Sequence, residues 1–222
     1  MVPYNPDWHD MSNYVVHFTK PCENRTDYDN MMGILYNSTI FARNPFGICR
    51  NTAPDIDTQK TVCFSEIPLH LLQRLSGRRG RYAIGFSKQF ILANGGGPIW
   101  YVEHNSQREI ALRELITHAI ESSNPQQHQI WSITPFIDST YDNPRSTYRF
   151  EWEREWRIVG DLRFRENDVA FLILPEQDHG RARGFFYRFA EENPGPSYQC
   201  PYIDIGWELD RVRRTLENSL EQ

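Results

Sequence analysis

One eleven-residue stretch constrains this chain most: Phe150-Glu151-Trp152-Glu153-Arg154-Glu155-Trp156-Arg157-Ile158-Val159-Gly160. Trp152, Trp156, Ile158 and Val159 favour an extended backbone, and side chains two apart in a strand share a face. Glu151, Glu153, Glu155 and Arg157 are therefore expected on one side, and Trp152, Arg154, Trp156 and Ile158 on the other. Three carboxylates on one strand face repel one another and add nothing to a core. Two readings stay open: an edge strand charged against aggregation, or carboxylates held in place for chemistry.

The chain has 222 residues, 39% of them hydrophobic and 14% aromatic. It is long enough for a full core and too apolar for a disordered segment. A single domain spanning 1–222 is expected, with a core at about 13–175 that carries the motifs and a C-terminal extension at 176–222. No apolar run approaches the roughly 20 residues of a membrane span, and Met1 to Pro6 lacks the pattern of a secretion signal. The expectation is a cytoplasmic protein with no membrane partner. Cys22, Cys49, Cys63 and Cys200 show no paired ligand spacing, so they read as free thiols and no metal site is expected.

The net charge of −5 excludes a general trap for nucleic acid. Lys20, Lys60 and Lys88 are the only lysines, and the other basic residues are arginines, whose planar fork grips phosphate at two points. Arg74, Arg78, Arg79 and Arg81 crowd a Gly-containing loop, and Arg181, Arg183 and Arg188 form a second group. The loop reads either as a local contact for nucleic acid, RNA ahead of DNA, or as a solvated segment pairing with nearby carboxylates.

Strands are expected at Tyr14–Thr19, Thr61–Ser65, Tyr82–Phe86, Ile99–Val102 and Val169–Leu174, besides the glutamate strand. Asp27 to Leu35 reads as a helix capped by Asp27, and a second helix opens at Pro68. Ser106 to Ser122 has a capping box, Ser106 with Glu109, and an apolar face of Ile110, Leu112, Leu115, Ile116, Ala119 and Ile120. Ile130 to Ile137 fits no single pattern. Residues from about 206 to Leu220 read as a surface helix. Strands outnumber helices without regular alternation, so the class is α+β.

His17 and Thr19 share one face of the first strand and could present donors to a ligand or be satisfied within a core. Tyr82 and Tyr101 could stack on a flat ring or simply pack. Gly95-Gly96-Gly97 could let a backbone approach a ligand or form a turn. No Gly-x-Ser-x-Gly is present. A magnesium nuclease built on Glu153 and Glu155 lacks acidic partners on another strand.

Val15-Val16-His17-Phe18-Thr19, Gly33-Ile34-Leu35 and Val62-Cys63-Phe64-Ser65-Glu66-Ile67-Pro68-Leu69, in that order, resemble the bacterial abortive-infection AbiGi-like family. So do Gly85-Phe86-Ser87-Lys88, Pro98-Ile99-Trp100-Tyr101-Val102 and Glu153-Arg154-Glu155-Trp156-Arg157, and the resemblance covers roughly residues 13–160. The same skeleton is similar to the ADP-ribosyltransferase superfamily, including the DarT-like and CmdT-like toxins. That resemblance implies a mixed, split β-sheet core with flanking helices and NAD as substrate. It implies that Glu155 is the catalytic carboxylate, with Glu153 as fallback, and that His17, Thr19, Ser65, Tyr82 and Tyr101 lie around NAD. It further implies a toxin of phage defence that transfers ADP-ribose to a nucleic-acid acceptor and is neutralised by a cognate antitoxin. Loss of nicotinamide leaves positive charge on the ribose, which one nearby carboxylate can stabilise. AbiGi relatives also carry the label antitoxin, which implies the alternative: an inactive, partner-binding relative of the same fold.

Overall fold

The computed structural model describes residues 12–22, 24–66, 80–143, 146–148, 154–192 and 196–217. In chain order its strands are β1 (Tyr14–Phe18), β2 (Thr39–Ile40), β3 (Asn44–Pro45), β4 (Lys60–Ser65), β5 (Ala83–Ser87), β6 (Gly97–Pro98), β7 (Trp100–Glu103), β8 (Ile137–Asn143), β9 (Ser146–Tyr148), β10 (Glu155–Val159), β11 (Leu162–Arg163), β12 (Val169–Ile173) and β13 (Tyr202–Ile203). The described α-helices are α1 (Asp27–Asn37), α2 (Lys88–Ala93), α3 (Gln107–Ile120), α4 (Glu176–Glu192) and α5 (Leu209–Glu217). Mixed strand pairing with several helices makes the class α+β. The helix expected from Pro68 lies outside the described residues.

Two compact units share the chain. The first comprises Met1–Thr39, Phe64–Phe90 and Arg163–Gln222; the second comprises Ile40–Cys63 and Ile91–Leu162.

In the first unit the strands run β13-β12-β5-β1. β1 pairs antiparallel with β5 and, through Val16 opposite Ser65, with the end of β4; β12 is antiparallel to β5 and parallel to β13. Val16, Ala83, Phe171, Ile173 and Ile203 fill one core cluster, and Val212 and Leu216, one turn apart on α5, join it. Residues in the stretch expected as an extension thus belong to this core. Gly85 explains itself: a Cβ there would stand 2.5 Å from the Phe171 ring. The cap of α1 is Thr26, one residue before the expected Asp27. Its hydroxyl accepts from the Asp29 backbone N–H at 3.1 Å, and Asp29 accepts in return from the Thr26 N–H. Sequence pattern gave no sign of α4, whose Gly180 and Gly184 interrupt a good helix former. Ala182 and Phe186, four apart and buried, anchor it.

In the second unit β3 pairs antiparallel with β4, and β10 lies between β4 and β6; separately, β7 is parallel to β8, and β8 antiparallel to β9. Its core cluster holds Cys49, Val102, Leu112, Ile116, Ala119, Trp131 and Ile137. The apolar face of α3 is narrower than expected. Leu112, Ile116 and Ala119 are buried, whereas Ile110, Leu115 and Ile120 are exposed. Gly95 turns at φ 77°, and Gly96 packs where a Cβ would meet Ile91 and Ile158 at 2.5 and 2.6 Å. The glycine run therefore serves a turn and close packing.

Candidate functional site

β10 begins at Glu155, because Arg154 takes a left-handed φ of 45° that no strand continues through. From there the two-residue period holds. Glu155 and Arg157 point the same way, and the Arg157 guanidinium donates to the Glu155 carboxylate from Nε at 2.8 Å and Nη2 at 3.2 Å. Arg157 is completely buried, so it is no charge displayed against aggregation. Its Nη1 donates to the Pro135 carbonyl at 2.7 Å, its Nη2 to Asp138 at 3.0 Å, and the group lies over the Phe46 ring. Asp138 also accepts from Arg50 Nη1 at 3.1 Å. The two carboxylates and two guanidiniums thus join in one network inside the second unit.

Two more groups close around Glu155. The Tyr101 hydroxyl donates to Oε2 at 2.9 Å, and the Cys63 thiol also bonds the carboxylate. Burial by itself would raise the Glu155 pKa, but the bonds and charge of Arg157, with those of Cys63 and Tyr101, outweigh it and hold the group below its ordinary value. The Cys63 thiol is pushed up to about 12, by burial first and then by the Glu155 charge. Such a thiol is a poor nucleophile.

Of the residues nominated from sequence, Tyr101 and Glu155 meet in the second unit, whereas His17, Thr19, Ser65 and Tyr82 belong to the first. His17 is half-buried and sits edge-to-face with Phe64 at 5.9 Å. The Thr19 hydroxyl donates to the Asp27 carbonyl at 2.8 Å, fastening the start of α1. The Tyr82 hydroxyl donates to Asp178 at 2.7 Å, fastening α4; burial and that carboxylate raise its pKa. Ser65 is buried opposite Val16. Glu153, Arg74, Arg78 and Arg79 lie outside the described residues. Arg81 stands 3.9 Å from Asp204, a loose surface pairing.

Sequence reasoning missed three residues. Asp138 lay next to a stretch without pattern. Lys88, which stood in a quoted motif without a role, makes a partly buried ion pair with Glu66 at 2.7 Å in the first unit. Ser106 caps α3 as expected, its hydroxyl accepting from the Glu109 N–H at 3.2 Å. Beyond that, the Glu109 side chain is a buried hub that accepts from the Asn105 N–H at 2.6 Å, Arg113 at 2.7 Å and the Ser139 hydroxyl at 2.8 Å.

A family model described as "Putative abortive phage resistance protein AbiGi, antitoxin" matches residues 36–183, two-thirds of the chain. The chain belongs to the AbiGi family. The matched span includes Cys63, Tyr101, Asp138, Glu155 and Arg157, and begins after His17 and Thr19. The family description carries a part in abortive phage resistance and the word antitoxin; it carries no transferase. No curated protein and no solved structure matches the chain. Among the described residues no helix is long and apolar enough to cross a membrane.

Proposed function

We propose that this AbiGi chain is an antitoxin of a phage-defence system, a binding protein that neutralises a partner toxin by contact and catalyses no transfer itself. The observation that carries this reading is the engagement of Glu155. A carboxylate that stabilises a ribose cation must face the sugar with an oxygen available to it. Glu155 is 13% exposed, and both its oxygens are held by a buried arginine. Withdrawing it from Arg157 would leave charge buried without its partner, at a cost of about 3–5 kcal/mol. The geometry suits a structural keystone better than a catalyst, and the family description points the same way.

The transferase reading keeps one supporting observation, the Tyr101 hydroxyl beside Glu155. In that reading NAD is the substrate, nucleic acid the acceptor, and this chain the toxin. The deciding experiment expresses the chain alone and together with the toxic protein of its own defence locus. The antitoxin reading expects normal growth alone, rescue in co-expression, and co-elution of the two purified proteins as one complex. Growth arrest by the chain alone, with nicotinamide release from NAD that Glu155→Gln abolishes, would overturn it in favour of the transferase.

A further inference from the structure

Helix α4 carries a glycine near its centre that packing does not demand. A Cβ built on Gly184 meets nothing within 4 Å, although glycine is among the poorest helix formers. The absent side chain instead opens one wall of a cavity of about 420 Å³, formed in the first unit between α4 and residues 197–202. That volume falls within the range of small-molecule sites.

The cavity has a charge and an exposed ring, over a floor that includes Tyr202. The Arg183 guanidinium carbon lies 4.0 Å from the centre of the Tyr202 ring, and the side chain makes no ion pair among the described residues. Tyr187, one turn further along α4, is 68% exposed and also lines the cavity. Tyr202 is only 3% exposed, and its hydroxyl is buried without a hydrogen-bond partner, a condition that native structures seldom leave unrelieved. The Tyr198 hydroxyl is already committed to the Leu35 carbonyl at 2.7 Å, which makes that side a fixed wall.

We propose that this cavity binds a nucleoside monophosphate. Arg183 takes the phosphate with its planar fork, and Tyr187 offers its ring face to the base. The bare backbone at Gly184 lets the ligand pass close to the helix. A single arginine beside one stacking ring suits one nucleotide; a strand would need a basic track. The proposal stands apart from the antitoxin reading, since the site lies in the first unit and uses none of the Glu155 network.

The test is calorimetric titration of the full chain with AMP, GMP, CMP and UMP, and with adenosine and inorganic phosphate as controls. At least one mononucleotide should bind saturably and at least ~10-fold more tightly than adenosine or phosphate. Arg183→Ala should weaken it ~10-fold or more. Gly184→Leu should abolish binding while leaving the melting temperature unchanged or raised, because the new side chain enters open space. Absence of saturable binding by all four nucleotides would overturn the proposal. So would phosphate binding as tightly as any nucleotide, or nucleotide affinity that neither variant changes in a folded protein.

Discussion

The Arg157 guanidinium holds Glu155 at two points while sharing Nη2 with Asp138, and none of its side chain reaches solvent. One arginine thus bridges two carboxylates from different strands, β10 and β8, and fastens the Pro135 carbonyl as well. Arg157→Met, which keeps the volume and removes the charge, should destabilise the protein by about 3–5 kcal/mol. The loss would be read as a fall in the urea midpoint at unchanged m-value. Adding Glu155→Gln to Arg157→Met should recover part of that loss, because one of the stranded charges goes. Additive effects in that cycle would show that the two side chains are not coupled.

Acid should act through the same kind of group. Burial pushes the Glu109 pKa up, but bonds from Arg113, the Asn105 N–H and Ser139 bring it down from the usual 4.5 to about 2. Glu155 is shifted in the same direction. A carboxyl group whose folded value is depressed stabilises the fold fully above its unfolded value, and that contribution fades as pH falls towards the folded one. Stability should therefore decline from about pH 4.5 towards about pH 2. Glu109→Gln should flatten that decline while costing stability at neutral pH. An unchanged acid slope in this variant would remove Glu109 from the account.

Much of the strand framework was legible because Tyr14–Phe18, Lys60–Ser65 and Val169–Ile173 are short segments rich in β-branched and aromatic residues. The two-residue period correctly put Glu155 and Arg157 on one face. What it could not say is that this face is buried, since a charged strand face ordinarily meets water. The clue lay in the arginine itself: a single guanidinium two residues from a glutamate and flanked by Trp156 and Ile158 can be buried with its partner. Asp138 stayed hidden because the long-range pairing that brings β8 to Arg157 leaves no local signal. Helix α4 stayed hidden because its two glycines lowered local propensity, while Ala182 and Phe186 hold it through tertiary contact. The wide apolar face read on α3 failed for the opposite reason: a helical period marks where apolar residues lie, not how much partner surface will cover them.

Gly85 gives a sharper test of packing. An added methyl would stand 2.5 Å from the Phe171 ring, in a part of the core where Phe86 and Phe171 are both fully enclosed. Gly85→Ala should cost about 1–3 kcal/mol by overpacking. Its thermal midpoint should recover in part when Phe171→Leu makes room. A Gly85→Ala protein as stable as the parent would mean that β12 yields to the methyl more easily than the close contact suggests.

The four thiols should separate by reactivity, and Cys63 is the informative one. Cys22 is exposed and Cys49 buried, while burial pushes Cys63 and Cys200 each up to about 12. Thiolate is the reacting species, so at pH 8 a thiol of that pKa is about one part in ten thousand ionised. With a disulfide reagent on the native protein, one equivalent should therefore react quickly, at Cys22. The other three should wait for denaturant. Replacing Glu155 by Gln removes the second cause of the Cys63 shift, the neighbouring negative charge, while leaving burial, the first cause, in place. In Glu155→Gln, Cys63 should therefore react measurably faster than in the parent yet still far more slowly than Cys22, with site assignment by peptide mass. A fast Cys63 in the unaltered protein would show that its thiol is not enclosed against the Glu155 carboxylate.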